Sequence, residues 1–110
     1  MTDILSRCRT LREQAYGGMP LPAAQGPGRV LYVYFIQRGL EGPIKIGKAN
    51  DVERRRTELQ QASEEPLRIL ARSQSYNEGQ LHEFYDDEWI RGEWYRPSPR
   101  LLAFIEFLSR

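Results

Sequence analysis

The hydrophobic and polar positions along the chain fall into a short series of elements. Residues 30–37 (Val-Leu-Tyr-Val-Tyr-Phe-Ile-Gln) are a β-branched and aromatic run, too apolar to keep a solvated face, and predict a central strand. Gly39 and Gly42 turn the chain back into Ile44-Lys45-Ile46-Gly47, whose alternation predicts an antiparallel hairpin partner. Asn50, with Glu53 three residues on, has the form of a capping box and predicts a helix over 51–62. Its core stripe is thin: Val52, Leu59 and Ala62. Pro66 bounds a further strand over 67–71. A second helix follows from about residue 76, with Leu81, Phe84, Tyr85 and Ile90 as its buried side. Ser98 as N-cap and Pro99 at the first helical position open a closing helix, with Leu101, Leu102, Phe104, Ile105 and Leu108 on its apolar face.

Ahead of this series, residues 2–16 read as an amphipathic helix with Ile4, Cys8, Leu11 and Ala15 on one face and Gly17-Gly18 at its end. Residues 19–28 hold Pro20, Pro22, Pro27, Gly26 and Gly28, which prevent a regular element. The expected division is therefore 1–28, a helix and linker, and 29–110, a compact α+β domain.

Composition narrows the function classes. At 110 residues there is room for one modest core and, by default, one site. A hydrophobic content of 40% with 28% charged residues matches ordinary globular proteins rather than disordered or membrane chains. Charges at Asp3, Arg7, Arg9, Arg12 and Glu13 interrupt any secretory apolar stretch, so a cytoplasmic location and no membrane partner are expected. Cys8 and His82 are each the only residue of their type. This excludes an intramolecular disulfide and a cysteine zinc cluster, and routes any histidine chemistry through His82. The net charge is only +1, but Lys45, Lys48, Arg54, Arg55 and Arg56 outnumber the three acids between residues 44 and 59. A local basic stripe of this kind can bind phosphate without the chain being basic overall.

The hairpin carries the most specific pattern. Tyr32-Val33-Tyr34, then Lys45-Ile46-Gly47 eleven residues after Tyr34, then Lys48 to Arg55, resembles the GIY, YIG and following helix of the GIY-YIG nuclease superfamily. Glu78-x-x-Leu81-His82 and Gly92-Glu93-Trp94-Tyr95-Arg96-Pro97-Ser98 extend the resemblance to the short phage and bacterial proteins of the T5orf172 or Mug113-like subgroup. The resemblance implies an α+β fold with a three-stranded antiparallel sheet flanked by helices, the N-terminal helix being extra. It also implies hydrolysis of nucleic-acid phosphodiesters, DNA first, with Mg²⁺ or Mn²⁺ as cofactor. Position by position, Tyr34 matches the first-motif tyrosine, Arg55 the helix arginine and Glu78 the metal-binding glutamate. Tyr32 replaces the first-motif glycine, and Lys45 replaces the second-motif tyrosine.

Hydrolysis of a phosphodiester needs an activator for water, positive charge on the equatorial oxygens and a metal at the attacking or leaving oxygen. Tyr34 and Lys45 are expected on neighbouring strands, where an ammonium beside a phenol favours the phenolate. The alternative is that Lys45 itself contacts phosphate. Tyr34, Lys45 and Arg55 are expected to converge on one open surface, with Glu78 holding the metal and Lys48, Arg54 and Arg56 contacting the nucleic-acid backbone. His82, four residues after Glu78, shares its helix face and is a second ligand or proton relay. Trp94 and Tyr95 are readable as base-stacking groups or as core, and Asp86-Asp87-Glu88 as solvated surface. A rival reading keeps the fold and drops the reaction, leaving a module that binds DNA or a protein partner.

Overall fold

In the computed structural model, which describes residues 19–22 and 31–110, the apolar run becomes β1 (Tyr32–Arg38) and the alternating segment β2 (Ile44–Ala49). The expected N-terminal helix over 2–16 lies outside the described residues. Then follow α1 (Val52–Gln60), β3 (Leu67–Ser73), α2 (Glu78–Phe84), a 3-10 turn (Asp86–Glu88), β4 (Trp89–Arg91), β5 (Trp94–Tyr95) and α3 (Pro99–Ser109). No helix among these residues is long and apolar enough to cross a membrane.

The expected three strands are five, in the antiparallel order β3-β1-β2-β5-β4. The extra hairpin is made of strands of three and two residues, too short to show alternation. Ile90, expected on a helix face, lies exposed in β4 because α2 stops at Phe84.

Helices cover both faces of the sheet. Val33, Phe35, Ile44 and Ile46 pack with Leu81 of α2 and with Leu101, Phe104 and Ile105 of α3. Tyr34 and Ile36, pointing the other way, pack with Val52 of α1 and with Leu67. Between Phe35 and Ile36 the β1–β3 register shifts, so Ile69 packs on the α1 side while Leu70 and Ala71 both pack opposite. One extra residue of this kind is what a bulge inserts.

Helix α1 begins one residue later than the capping-box reading requires. Asp51, not Asn50, is its cap, accepting from the Arg54 N–H at 3.1 Å. Glu53 instead forms a two-pronged ion pair with Arg72 of β3, which holds its carboxyl down at a pKa of about 2. Ala62 lies past the helix end and is exposed, so Val52 is the one fully buried residue of α1. Ser98 caps α3 with Pro99 at its start, as expected, and Leu102 is the member of the predicted face that remains exposed.

Glu88 corrects the reading of the acidic run as solvated surface. It is 8% exposed and forms a bidentate pair with Arg100, at 3.2 and 2.9 Å, which ties the 3-10 turn to α3. Asp86 and Asp87 are exposed.

Candidate active site

The site is built where the sheet stops pairing. Strand β5 bonds to β2 only through Ile44–Tyr95 and Lys45–Trp94. One step further the Ile46 N–H donates to the Glu93 carbonyl at 3.0 Å, and the Ile46 carbonyl meets His82 Nε2 at 2.8 Å. A carbonyl only accepts, so Nε2 carries a proton, and in the neutral ring Nδ1 then keeps the lone pair. The imidazole also stacks on Tyr95, with centroids 5.4 Å apart.

Helix α2 sets Glu78 beside this ring. Asn77 caps the helix by accepting from the Gln80 N–H at 2.7 Å, which makes Glu78 the first helical residue and leaves His82 one turn on. Glu93 approaches from the foot of β5. Ligand atoms of Glu78, His82 and Glu93 all lie within 4.8 Å of one another. Partial burial, followed by the Glu93 charge, raises the Glu78 pKa, while His82 and Lys48 oppose the rise. Two carboxylates this close repel each other, and a shared proton or a cation eases the repulsion. The carboxylate oxygens suit Mg²⁺ or Mn²⁺, the imidazole suits the transition metal of the two, and an imidazole N–H given to a backbone carbonyl is the support that metal-ligating histidines use.

Tyr34 reaches the same end of β2 from the α1 side. It stands opposite Gly47, and its phenol lies so close that a Cβ there would come 2.5 Å from Cζ. The Arg55 guanidinium lies close enough to the Tyr34 hydroxyl to act on its charge, and it hydrogen-bonds Glu58 at 3.3 Å. The Glu93 and Glu78 charges both act on the phenol. The expected open surface is not what forms at Tyr34: the residue is 1% exposed, packed between β1, α1 and Gly47. Burial raises its pKa, and the cation that opposes the rise is Arg55.

Lys45 corrects the sequence reading a second time. It is opposite Ile36, 12% exposed at its side chain, lies over the Trp94 ring and is taken up by Glu93 at 3.0 Å. It therefore supports a cluster carboxylate rather than the phenol. Lys48 is exposed near Glu78. Arg54 pairs outward with Glu58 at 3.6 Å, and Arg56 contacts Thr57, so neither joins the cluster. Adjacent helix residues differ by ~100° in direction, which is why only one of the three arginines meets Tyr34. Tyr95 is core, whereas Trp94 is half-buried beneath Arg38 and Lys45. Glu93 is the residue that sequence reasoning missed as a ligand. Its signal was the Gly-Glu-Trp segment, but its place at a strand end depends on a hairpin too short to read.

The profile of the T5orf172 domain matches residues 31–107, from the start of the sheet almost to the end of α3. The chain belongs to the T5orf172 domain family. No curated protein and no solved structure matches it. In this T5orf172 domain the matched segment contains every residue of the Tyr34–Arg55 pair and of the Glu78–His82–Glu93 cluster. The family is associated with nuclease-like proteins.

Proposed function

We propose that this T5orf172 domain is a metal-dependent endonuclease of the GIY-YIG type, hydrolysing nucleic-acid phosphodiesters, DNA first. The observation that carries the reading is the arrival of two chemically different groups at one end of β2: a phenol paired with a guanidinium, and two carboxylates with an imidazole. Glu78, Glu93 and His82 Nδ1 would hold Mg²⁺ or Mn²⁺, which when bound supplies positive charge for the leaving oxygen.

The chain's own residues divide the remaining work. Arg55 and Lys48 bring positive charge to the non-bridging oxygens. Tyr34 handles the proton of the attacking water through its hydroxyl, with Arg55 favouring the phenolate against the effect of burial. Lys45 keeps Glu93 in place and offsets its charge. The test is plasmid nicking: cleavage should require Mg²⁺ or Mn²⁺ and stop on chelation.

The closure around Tyr34 favours a second reading, in which the same groove binds nucleic acid or a protein partner without cutting. Gel shifts that proceed with or without metal, and no cleavage of double-stranded, single-stranded or branched substrates, would select it.

A further inference from the structure

Beside the cluster, α2 and the β4–β5 hairpin border a concavity of about 520 Å³, lined among others by Gly79, His82, Asp86, Trp89, Gly92 and Tyr95. We propose that it is a binding site for an unpaired nucleobase next to the scissile phosphodiester, so that the substrate is single-stranded or locally opened. This rests on the nucleic-acid reading above.

A lone exposed tryptophan is ordinary on a protein surface. Trp89 differs in how it is held. It is 53% exposed, yet its one donor, the indole N–H, is given to the Gly92 carbonyl at 2.9 Å. The ring is thereby pinned, and the group it still offers is its π face. The half-buried His82 ring, backed by the core residue Tyr95 on which it stacks, adds further aromatic lining. Such surfaces take bases without regard to sequence, since every base has a π face.

The charge of the lining decides which part of a nucleotide enters. Glu83 and Asp86 also border the concavity, and their carboxylates repel phosphate but accept from the amino groups of bases. The flat, uncharged part therefore goes in, while the backbone stays on the side of Lys48 and Arg55. His82 belongs to both the concavity and the cluster, so a base seated there carries its own phosphate to the Glu78–His82–Glu93 group. In an intact duplex the base is stacked and paired, and the site cannot reach it.

The test compares binding of one short labelled single strand and its blunt duplex by anisotropy, at fixed salt, with Ca²⁺ in place of Mg²⁺. Trp89→Ala should weaken single-strand binding by roughly tenfold or more, the effect of losing one base–aromatic stack. It should leave duplex binding unchanged, and Trp89→Phe should keep most of the single-strand affinity. A strand with central abasic positions should lose a similar factor with the wild type and little with Trp89→Ala. An equal loss on both ligands, or none on either, overturns the proposal while nucleic-acid binding stands. A wild type that binds neither ligand overturns the parent reading together with this one.

Discussion

The Tyr34 phenol lies against Gly47 on the neighbouring strand, at a distance that leaves no room for a side chain there. Glycine at this position is a packing requirement of the phenol. Tyr34 is buried and cannot swing away, so Gly47→Ala forces either strand or ring to shift. Overpacking of this kind costs ~1–3 kcal/mol. Thermal unfolding should show a Tm lowered by several degrees, and cleavage should fall further than stability, because the Tyr34 hydroxyl shifts relative to Arg55. An unchanged Tm would refute the close contact.

Tyr34→Phe separates packing from chemistry. The ring that fills the space between β1 and α1 remains, and Arg55 keeps Glu58. Stability should change by less than ~1 kcal/mol, whereas loss of a group that handles a proton costs ~10²–10⁴ in rate. Single-turnover cleavage equal to that of the wild type would remove Tyr34 from the reaction.

Glu78→Ala deletes a hard anionic ligand and one charge that repels phosphate. Cleavage should collapse, Mn²⁺ binding measured by calorimetry should weaken, and DNA affinity should hold or tighten. Glu93→Ala should behave in the same way, which the sequence alone did not foresee. Arg55→Ala is the contrast, because losing positive charge should weaken binding and cleavage together. Undiminished Mn²⁺ affinity in both carboxylate variants would place the metal elsewhere.

Three tyrosines make the fold sensitive to alkali. Burial raises the pKa of Tyr34 and Tyr76, and pushes that of Tyr95 up to about 12. The folded state thus favours the neutral phenols more than the unfolded chain does, whose tyrosines titrate near ~10. Their contribution is complete below about pH 10 and is lost as pH rises toward the folded values. Tyrosinate absorbance should lag behind that of a denatured control, and chemical denaturation should show stability declining only above about pH 10. Coincident titration curves in native and denatured protein would contradict this.

The Glu88–Arg100 pair is the buried ionic contact that fixes the 3-10 turn to α3. Breaking a fully buried pair costs ~3–5 kcal/mol, and because Arg100 keeps some exposure, Glu88→Ala should cost about 2–3 kcal/mol. Urea denaturation would measure it. Since Glu88 also accepts the Arg96 N–H through its backbone carbonyl, which the substitution keeps, β4 and β5 should stay paired.

How far the sequence could be read follows from element length. The apolar run, residues 44–47 and the Ser98-Pro99 start were legible because β-branched runs and caps are local signals, and β1 (Tyr32–Arg38), β2 and α3 form there. The β4–β5 hairpin was not, since five residues in two strands carry no period. That omission hid Glu93 as a ligand and turned Ile90 into a helix residue. The sequence reading puts Tyr34, Arg55, Glu78 and His82 on the strand and helices where they lie. It could not say that Lys45 would be captured by Glu93 and Trp94, because a cation's partner is set by which chain end folds against it.

The brevity of β5 has a consequence for protonation. If the β2–β5 ladder ran one pair further, a strand amide would take one lone pair of the Ile46 carbonyl and compete with His82 for it, weakening the contact that fixes the proton on Nε2. The imidazole could then exchange tautomers and turn about its own bond, and the lone pair would no longer be held at Nδ1. In this fold the length of a two-residue strand selects which nitrogen of a histidine faces the cluster. An insertion between Glu93 and Trp94 is therefore a change of site chemistry, even though it adds no chemically active group.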